Sequence, residues 1–245
     1  MIALSFITLA ISSVAHAATY GVTDTFIGSS FLSGFNHEAI VDPTHGRVNA
    51  SGAGRNSVRI ISKKQWDNHV QIMDVRHMPQ GCGTWPAYWT TSSTVSWPSD
   101  GEIDIIEGSM TKHPMLQTLH TTLVALNLSL VTRPELRLVP TANWQVNSNT
   151  GCGVRNPLAN SYGPQFNANG GGWYAMERTK TYIKVWFWPR NSATVPAQVK
   201  NGSGSINTSS WGTPFAAFVN SNYVNNNPSA FKNAYWDIAA LRVYQ

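Results

Sequence analysis

The hexapeptide Glu102–Glu107 reads E-I-D-I-I-E and stands out in a chain that is poor in acids. The protein has 245 residues and 12 Asp and Glu, and four of these acids, Asp100, Glu102, Asp104 and Glu107, fall within eight consecutive positions. An even spread would place about 0.4 acids in such a window. Because like charges repel at this spacing, the concentration of acids calls for a functional explanation.

The hexapeptide is predicted to be a β-strand with an irregular end. On a strand, Glu102 and Asp104 share one face and the isoleucines between them occupy the other. Strict alternation would turn Glu107 into the apolar layer, where an unpaired carboxylate is costly. One extra residue at a β-bulge around Ile105 and Ile106 would return Glu107 to the acidic face.

Three carboxylates on one strand face suit glycoside hydrolysis. That reaction needs one carboxylate as nucleophile or base and one carboxylic acid as proton donor. Crowding raises the pKa of at least one group, as a general acid requires near neutral pH. The alternatives are a solvated strand face and a calcium site. An EF-hand loop is excluded by its absent ligand spacing, whereas another type of calcium site stays open.

Aromatic residues surround this acidic strand in the sequence. The chain has ten tryptophans, and Trp85, Trp89 and Trp97 precede Glu102 closely while Trp173 follows three glycines. Exposed indoles beside acids are typical of carbohydrate clefts, although the same side chains serve equally well as core. His120 could hydrogen-bond a catalytic acid from a neighbouring strand, but a lone histidine is more often structural.

The remainder of the chain predicts an all-β domain. Thirteen Pro and nineteen Gly separate short segments rich in β-branched and aromatic residues, which favours a sandwich or barrel. No repeat or charged linker divides the chain, so one domain is predicted over residues 18–245. The segments that alternate best are residues 57–62, 69–75, 101–107, 182–187 and 238–243.

The N-terminus and the cysteines indicate an oxidising, extracellular compartment. Residues 2–11 form an apolar run, and Ala15 and Ala17 supply the small residues of a cleavage site. A signal peptide is therefore predicted over residues 1–17, followed by a secreted chain. Cys82 and Cys152 are the only cysteines and suggest one disulfide, although sequence cannot show that they come close enough to pair.

Charge argues against two classes of partner. The formal net charge is +5 and the pI about 9.3, but charged residues make up only 12% and the cations form no stripe or nucleic-acid motif. Low charge with many aromatics excludes a disordered chain. No apolar run beyond the N-terminus reaches the roughly 18 residues of a membrane helix. We therefore expect no nucleic acid and no membrane as partner.

The E-I-D-I-I-E hexapeptide resembles the signature of glycoside hydrolase family 16, in particular the fungal laminarinase-like β-1,3(4)-glucanases. Flanking segments resemble secreted fungal members closely and extend the likeness over most of the chain. These segments are residues 76–89 (RHMPQGCGTWPAYW), 97–101 (WPSDG), 119–121 (LHT), 171–178 (GGWYAMER), 184–190 (KVWFWPR) and 235–244.

This resemblance implies a β-jelly-roll of two curved antiparallel sheets and retaining endo-hydrolysis of β-1,3 or mixed β-1,3/1,4 glucan. It makes Glu102 the nucleophile, Glu107 the general acid/base and Asp104 the residue that tunes both. It also implies a monomer that binds β-glucan and needs no cofactor or metal. The substrate-binding residues that it implies are Trp85, Trp89, Trp97, His120 and Trp173.

The sequence departs from the family pattern at three places. A hairpin is absent near residues 49–51, residues 123–145 differ from the usual loop, and a late strand with cysteines is absent between residues 218 and 225. Because the gaps are sharp and their flanks intact, we interpret them as a damaged or mis-assembled reading frame. The alternatives to a hydrolase are a transglycosylase on cell-wall glucans and an inactive glucan-binding protein.

Overall fold

The computed structural model describes residues 18–38, 58–81, 84–108, 116–121, 125–127, 142–145, 147–220 and 243–244. The regular secondary structure in these ranges consists mainly of short strands. In chain order the strands are β1 Thr19–Asp24, β2 Phe35–His37, β3 Ile60–Ser62, β4 His69–Val75, β5 Ala87–Thr91, β6 Glu102–Glu107, β7 Leu116–His120, β8 Ala125–Asn127, β9 Cys152–Arg155, β10 Gly172–Arg178, β11 Tyr182–Pro189, β12 Ser205–Asn207, β13 Ala216–Asn220 and β14 Val243–Tyr244.

Helical segments in the described residues are brief and lie at the ends of strands. The α-helices are α1 Gly163–Ala168 and α2 Ala197–Asn201. A 3₁₀-helix of seven residues covers Gly28–Gly34, and single 3₁₀ turns cover Asn147–Asn149, Ala159–Ser161 and Thr208–Ser210. None of the helices in these ranges is long and apolar enough to cross a membrane.

The strands pair antiparallel in three sheets. An eight-stranded sheet has the order β12-β1-β14-β4-β10-β11-β13-β8, a four-stranded sheet has the order β5-β6-β7-β9, and β2 pairs with β3. This architecture confirms the all-β prediction. Strand β4 has the predicted bounds, and β3, β6 and β11 lie at their predicted places. Of the predicted strand at residues 238–243, only residue 243 lies within the described chain.

Aromatic packing fills the space between the two large sheets. Tyr174 on β10 lies 4.7 Å from Phe187 on β11, and Phe166 of α1 lies 6.0 Å from Phe187 between ring centroids. Aromatic pairs of this kind contribute about 0.5–1.5 kcal/mol each beyond area burial. Tyr88 on β5 donates its hydroxyl to the side-chain oxygen of Gln71 on β4, so a polar contact also joins the sheets.

The opposite face of the eight-stranded sheet is covered by the chain between β11 and β13. Trp211 packs edge-on against Trp186 and Trp188 of β11, at centroid distances of 5.5 and 6.3 Å. Val199 of α2 and Ile206 of β12 are fully or almost fully buried beside them. The tryptophans of β11 therefore serve the core.

Several predictions fall on residues outside the described ranges. They are the signal peptide at residues 1–17, Cys82, and most of the three segments that depart from the family pattern. Cys152 is buried on β9. The disulfide between Cys82 and Cys152 stays a prediction.

Candidate active site

The acidic strand contains the predicted bulge. Between β5 and β6, Tyr88 pairs with Ile106 and the next residue, Trp89, pairs with Asp104, so Ile105 is the additional residue. The pairing of β6 with β7 shifts by one residue over the same interval. Ile105 is fully buried. The bulge therefore allows the consecutive residues Ile105 and Ile106 to lie in the core, while the acids before and after them point to the same face of the sheet.

The register places all three acids on that common face, because directly paired residues in antiparallel strands point the same way. Glu102 pairs with Thr91 and His120, and Asp104 pairs with Trp89 and Thr118. Beyond the bulge, Glu107 pairs with Ala87. The structure therefore brings the predicted histidine, on β7, beside the three predicted catalytic carboxylates on β6.

Glu102 is held by an indole. The Trp97 Nε1–H donates to Glu102 Oε2 at 2.6 Å. Trp97 lies five positions before Glu102, in the loop that leads into β6. Burial raises the pKa of Glu102, against the opposing influence of the His120 charge and the Trp97 hydrogen bond. One oxygen of Glu102 thus accepts from an indole donor, which fixes the orientation of the carboxylate.

Glu107 has the same kind of partner at the other end of the strand. The Trp85 Nε1–H donates to Glu107 Oε1 at 3.2 Å, and the Trp85 ring itself is 56% exposed. Burial raises the pKa of Glu107, and the negative charge of Glu102 raises it further. A carboxyl group whose pKa is raised in this way keeps its proton closer to neutral pH, as a general acid must.

Asp104 lies between the two glutamates and is the most buried of the three acids, with 3% of its surface exposed. Burial and the charges of Glu107 and Glu102 raise its pKa to about 7, against the opposing effect of His120. His120 Nε2 lies 3.5 Å from Asp104 Oδ2, an ionic contact longer than an ordinary hydrogen bond. Oδ2 has no hydrogen-bond partner among the described residues.

Two contributors to the site were not predicted from sequence. The Arg59 guanidinium lies over the Trp89 ring at 4.5 Å from its centroid, and Arg59 also forms an ion pair with Glu38. Asn149 Oδ1 lies 2.6 Å from His120 Nδ1. Arg59 sits in an ordinary strand pattern and Asn149 in a turn-like N-S-N segment, so neither position carries a signal that sequence reasoning could use.

One predicted substrate-binding residue lies elsewhere. Trp173 is on β10 of the eight-stranded sheet, where it pairs with Asp74 and Trp188 and is 3% exposed. The Arg190 guanidinium lies 4.1 Å from the centroid of its ring. The structure does not place Trp173 in the carboxylate cluster, so its contact with substrate stays a prediction.

The cluster also has the composition of a cation site. Glu102, Asp104 and His120 each offer a donor atom, and these atoms lie within 4.8 Å of one another. Trp97 and Asn149 already engage Glu102 and His120 from the side, and no other feature of the described residues points to a cation. We therefore interpret the cluster through its acid–base chemistry, and the expected lack of a metal requirement stays a prediction.

A bulged strand that presents three crowded carboxylates on one sheet of an all-β sandwich meets the requirement of glycoside hydrolysis for a pair of carboxyl groups. A family model described as "XgeA-like, catalytic GH16 domain" matches residues 29–223. The chain belongs to glycoside hydrolase family 16. Its two large antiparallel sheets form the jelly-roll of that family, as the resemblance implied.

Relatives and solved structures agree with this assignment. A protein of Aspergillus fumigatus named "probable endo-1,3(4)-beta-glucanase" is 32% identical over 308 residues, covering 94% of this chain and 46% of the relative. The structure of GH16 laminarinase 16A from Phanerochaete chrysosporium, with β-glucans in its donor and acceptor sites, is 43% identical. It covers 93% of this chain and 100% of its own, at a TM-score of 0.73.

A further solved structure is an elongating family 16 β-1,3-glucosyltransferase. It is 32% identical, covers 82% of this chain and 76% of its own, and has a TM-score of 0.70. The chain spans about half the length of the curated relatives that it matches. Since 94% of this chain is about 230 residues, the aligned region of 308 residues leaves about 78 positions without a counterpart here.

Proposed function

We propose that this protein is a secreted, endo-acting, retaining glycoside hydrolase that cleaves β-1,3 or mixed β-1,3/1,4 glucans. The observation that supports this most directly is the placement of Glu102 and Glu107 on one face of a single bulged strand. Each of them accepts a hydrogen bond from an indole N–H at one carboxylate oxygen. Retaining enzymes use such a pair about 5–5.5 Å apart.

In the proposed first step, Glu107 donates its proton to the glycosidic oxygen while Glu102 attacks the anomeric carbon. The bond to the leaving sugar breaks and a glycosyl ester forms on Glu102. In the second step, Glu107 as carboxylate removes a proton from water, the water oxygen attacks the anomeric carbon, and Glu102 is released. Two displacements restore the starting configuration.

The electrostatics of the strand support this change of role. The charge of Glu102 raises the pKa of Glu107 in the free protein. Formation of the ester removes that charge, so the pKa of Glu107 falls and its carboxylate becomes available as a base. Asp104 modulates both groups from between them, because its own charge depends on the proton that it exchanges with His120.

The choice of glucan as substrate rests on the aromatic residues and on the relatives. The exposed ring of Trp85 and the half-buried rings of Trp89 and Trp97 border the carboxylates and offer flat apolar surface to the C–H faces of a sugar. The fungal relatives are named endo-1,3(4)-β-glucanases, and the laminarinase structure contains β-glucans. Secretion rests on the sequence, namely the apolar N-terminal run, the cleavage-site residues Ala15 and Ala17, and the two cysteines.

Reducing-end release from soluble β-1,3-glucan by the purified protein tests the proposal, with Glu102→Gln as its matched control. Hydrolysis that Glu102→Gln abolishes, with products of retained anomeric configuration in early ¹H NMR spectra, is the expected result. Turnover that survives in Glu102→Gln would overturn the assignment of the nucleophile. Inverted products would overturn the retaining mechanism.

A transglycosylase is the second candidate, because a glucosyltransferase of the same family shares the fold. It would form the same ester on Glu102 but transfer the sugar to another glucan. Product analysis with a labelled acceptor oligosaccharide separates the two, since a transferase yields longer chains. A glucan-binding protein without activity is the third candidate. Its wild type would show no turnover, and Glu102→Gln would leave glucan binding nearly unchanged.

A further inference from the structure

The turn that precedes β9 has a backbone of unusual shape. Ser148 and Asn149 have φ values of 54° and 59°, in the left-handed region that costs most side chains energy. Asparagine tolerates this region better than other residues that carry a side chain. Consecutive residues of this kind persist where the surrounding structure holds them, and they cluster at functional sites.

The same turn is pressed against β7. Gly151 has φ +65°, and a Cβ atom at this position would lie 2.5 Å from Thr118 Cγ2 and 2.7 Å from His120 Cε1. Only glycine therefore allows the backbone to come this close. The approach delivers the Asn149 side chain to His120, where Oδ1 lies 2.6 Å from Nδ1.

This contact favours one of the two neutral tautomers of His120. A carbonyl oxygen can only accept a hydrogen bond, so His120 Nδ1 must donate to it. The neutral ring then has a lone pair at Nε2, the atom that faces Asp104 Oδ2 at 3.5 Å. A favourable contact between these two atoms needs one proton, either on the Asp104 carboxyl or on an imidazolium.

We propose that Asn149 is a positioning residue that keeps the proton of neutral His120 on Nδ1, so that His120 Nε2 and Asp104 hold one shared proton. This inference rests on the proposed hydrolytic function. The pair with its shared proton has no net charge in either arrangement. The pair therefore adds no net negative charge between Glu102 and Glu107, and Glu102 can stay ionised as a nucleophile.

The surroundings of His120 are consistent with this arrangement. The ionisable groups that face it are Asp104 and Glu102 on β6, with Glu107 further along the same strand. Arg155 on β9 pairs with Leu116, at the end of β7 opposite to His120. Burial lowers the pKa of His120, but Asp104 and Asn149 together outweigh burial and raise it.

Two variants distinguish the effect of the Asn149 Oδ1 acceptor from the effect of the left-handed backbone at this position. Asn149→Gly keeps the left-handed conformation and removes the side chain, whereas Asn149→Asp keeps the size and adds a negative charge beside Nδ1. Ser148→Gly is the matched control, because it changes the neighbouring left-handed residue and leaves the His120 contact in place. Melting temperatures of all three show whether the fold is intact.

The direct measurement is ¹H–¹⁵N NMR of the histidine rings, with the His120 signal identified by its loss in His120→Gln. We expect wild-type His120 to be protonated at Nδ1 when neutral. The pKa of His120 should fall by about one unit in Asn149→Gly and rise by a similar amount in Asn149→Asp. In Ser148→Gly it should not move. A neutral wild-type ring protonated at Nε2 would overturn the proposal.

Activity provides a second readout. With glucan as substrate, kcat should fall about 3–10-fold in Asn149→Gly with little change in KM, because the lost interaction acts on the acids and not on the sugar. A kcat equal to that of Ser148→Gly would contradict the positioning role. If the wild type proves inactive, the hydrolytic function fails, but the NMR experiment still decides where the proton lies.

Discussion

Asp104 on the four-stranded sheet and Glu177 on the eight-stranded sheet are both buried carboxylates, yet their surroundings differ. The Glu177 side chain is fully buried, and its Oε1 accepts from the hydroxyls of Tyr20, Tyr182 and Thr208 at 2.9–3.1 Å. Lys184 Nζ lies 3.4 Å from its other oxygen. Asp104 has two acids beside it, and its Oδ2 lies 3.5 Å from His120 Nε2.

The difference shows how one chemical group serves two purposes. Around Glu177, three hydroxyls donate to one carboxylate oxygen and Lys184 forms an ion pair with the other, so the side chain makes a polar link between β1, β10 and β11. Around Asp104, donors are withheld and like charges are added, so the charge is destabilised and the pKa rises to about 7. We therefore expect the first region to contribute to stability and the second to reactivity.

The largest expected effect comes from the acidic strand. Glu107→Gln removes the proton donor and should lower kcat on unactivated glucan by about 10²–10⁴-fold. Its free energy of unfolding should not fall, because one of three crowded carboxyl groups has been neutralised. Steady-state kinetics and urea denaturation of the same preparation check both parts. A stability loss of about 3–5 kcal/mol, the loss expected on breaking a buried ion pair, would show that the two regions do not differ in this way.

The converse change is Glu177→Leu. It leaves three hydroxyls and an ammonium group without their acceptor, and breaking such a buried arrangement typically costs about 3–5 kcal/mol. The midpoint of urea denaturation should fall accordingly, while kcat per folded molecule stays near that of the wild type. Unchanged denaturation would show that the hydroxyl cluster does not stabilise this sheet.

The pH dependence of stability offers a finer test. The pKa of Asp104 is raised to about 7, so the folded protein binds a proton that the unfolded chain, with a pKa near 3.9, has released. The free energy of unfolding should therefore decrease as pH rises from about 4 to 7, by at most about 1.4 kcal/mol per pH unit from this group. In Asp104→Asn this slope should become smaller. An equal slope in both proteins would remove Asp104 as its source.

The smallest expected effects come from single donors. Trp85→Phe removes the hydrogen bond to Glu107, so the pKa of Glu107 should rise and the alkaline limb of kcat/KM should move to higher pH. Tyr20→Phe, the matched change beside Glu177, should cost about 1–2 kcal/mol of stability and leave the pH profile unchanged. Denaturation and pH–rate profiles of both variants test this pairing, and identical pH profiles would contradict it.

Segments that are present in the relatives have no counterpart in this chain. The alignment with the Aspergillus fumigatus relative leaves about 78 positions without a counterpart in this chain. This agrees with the sequence-based observation of missing segments, while the interpretation as a damaged reading frame stays a prediction. A cooperative thermal melt of residues 18–245 would contradict that interpretation, because a chain that had lost essential strands should not unfold in one transition.

The sequence by itself determined the all-β class, the acidic strand and the bulge within it. These follow from local rules, since alternation, turn residues and the cost of a carboxylate in an apolar layer all act between near neighbours. The indole partners Trp85 and Trp97 were also identified among the aromatics that precede the strand. Only the tertiary structure showed that each of them donates to a different glutamate.

Other features depended on strands far apart in the chain, which sequence periodicity cannot relate. Trp173 and Trp85 have the same aromatic signal, but one lies in the core of the larger sheet and the other beside Glu107. Glu177 and Asp104 are both acids in strands, and only their tertiary neighbours distinguish them. Asn149 reaches His120 through a left-handed turn 29 positions away. Local patterns specified which groups the protein has, and long-range packing decided which of them meet.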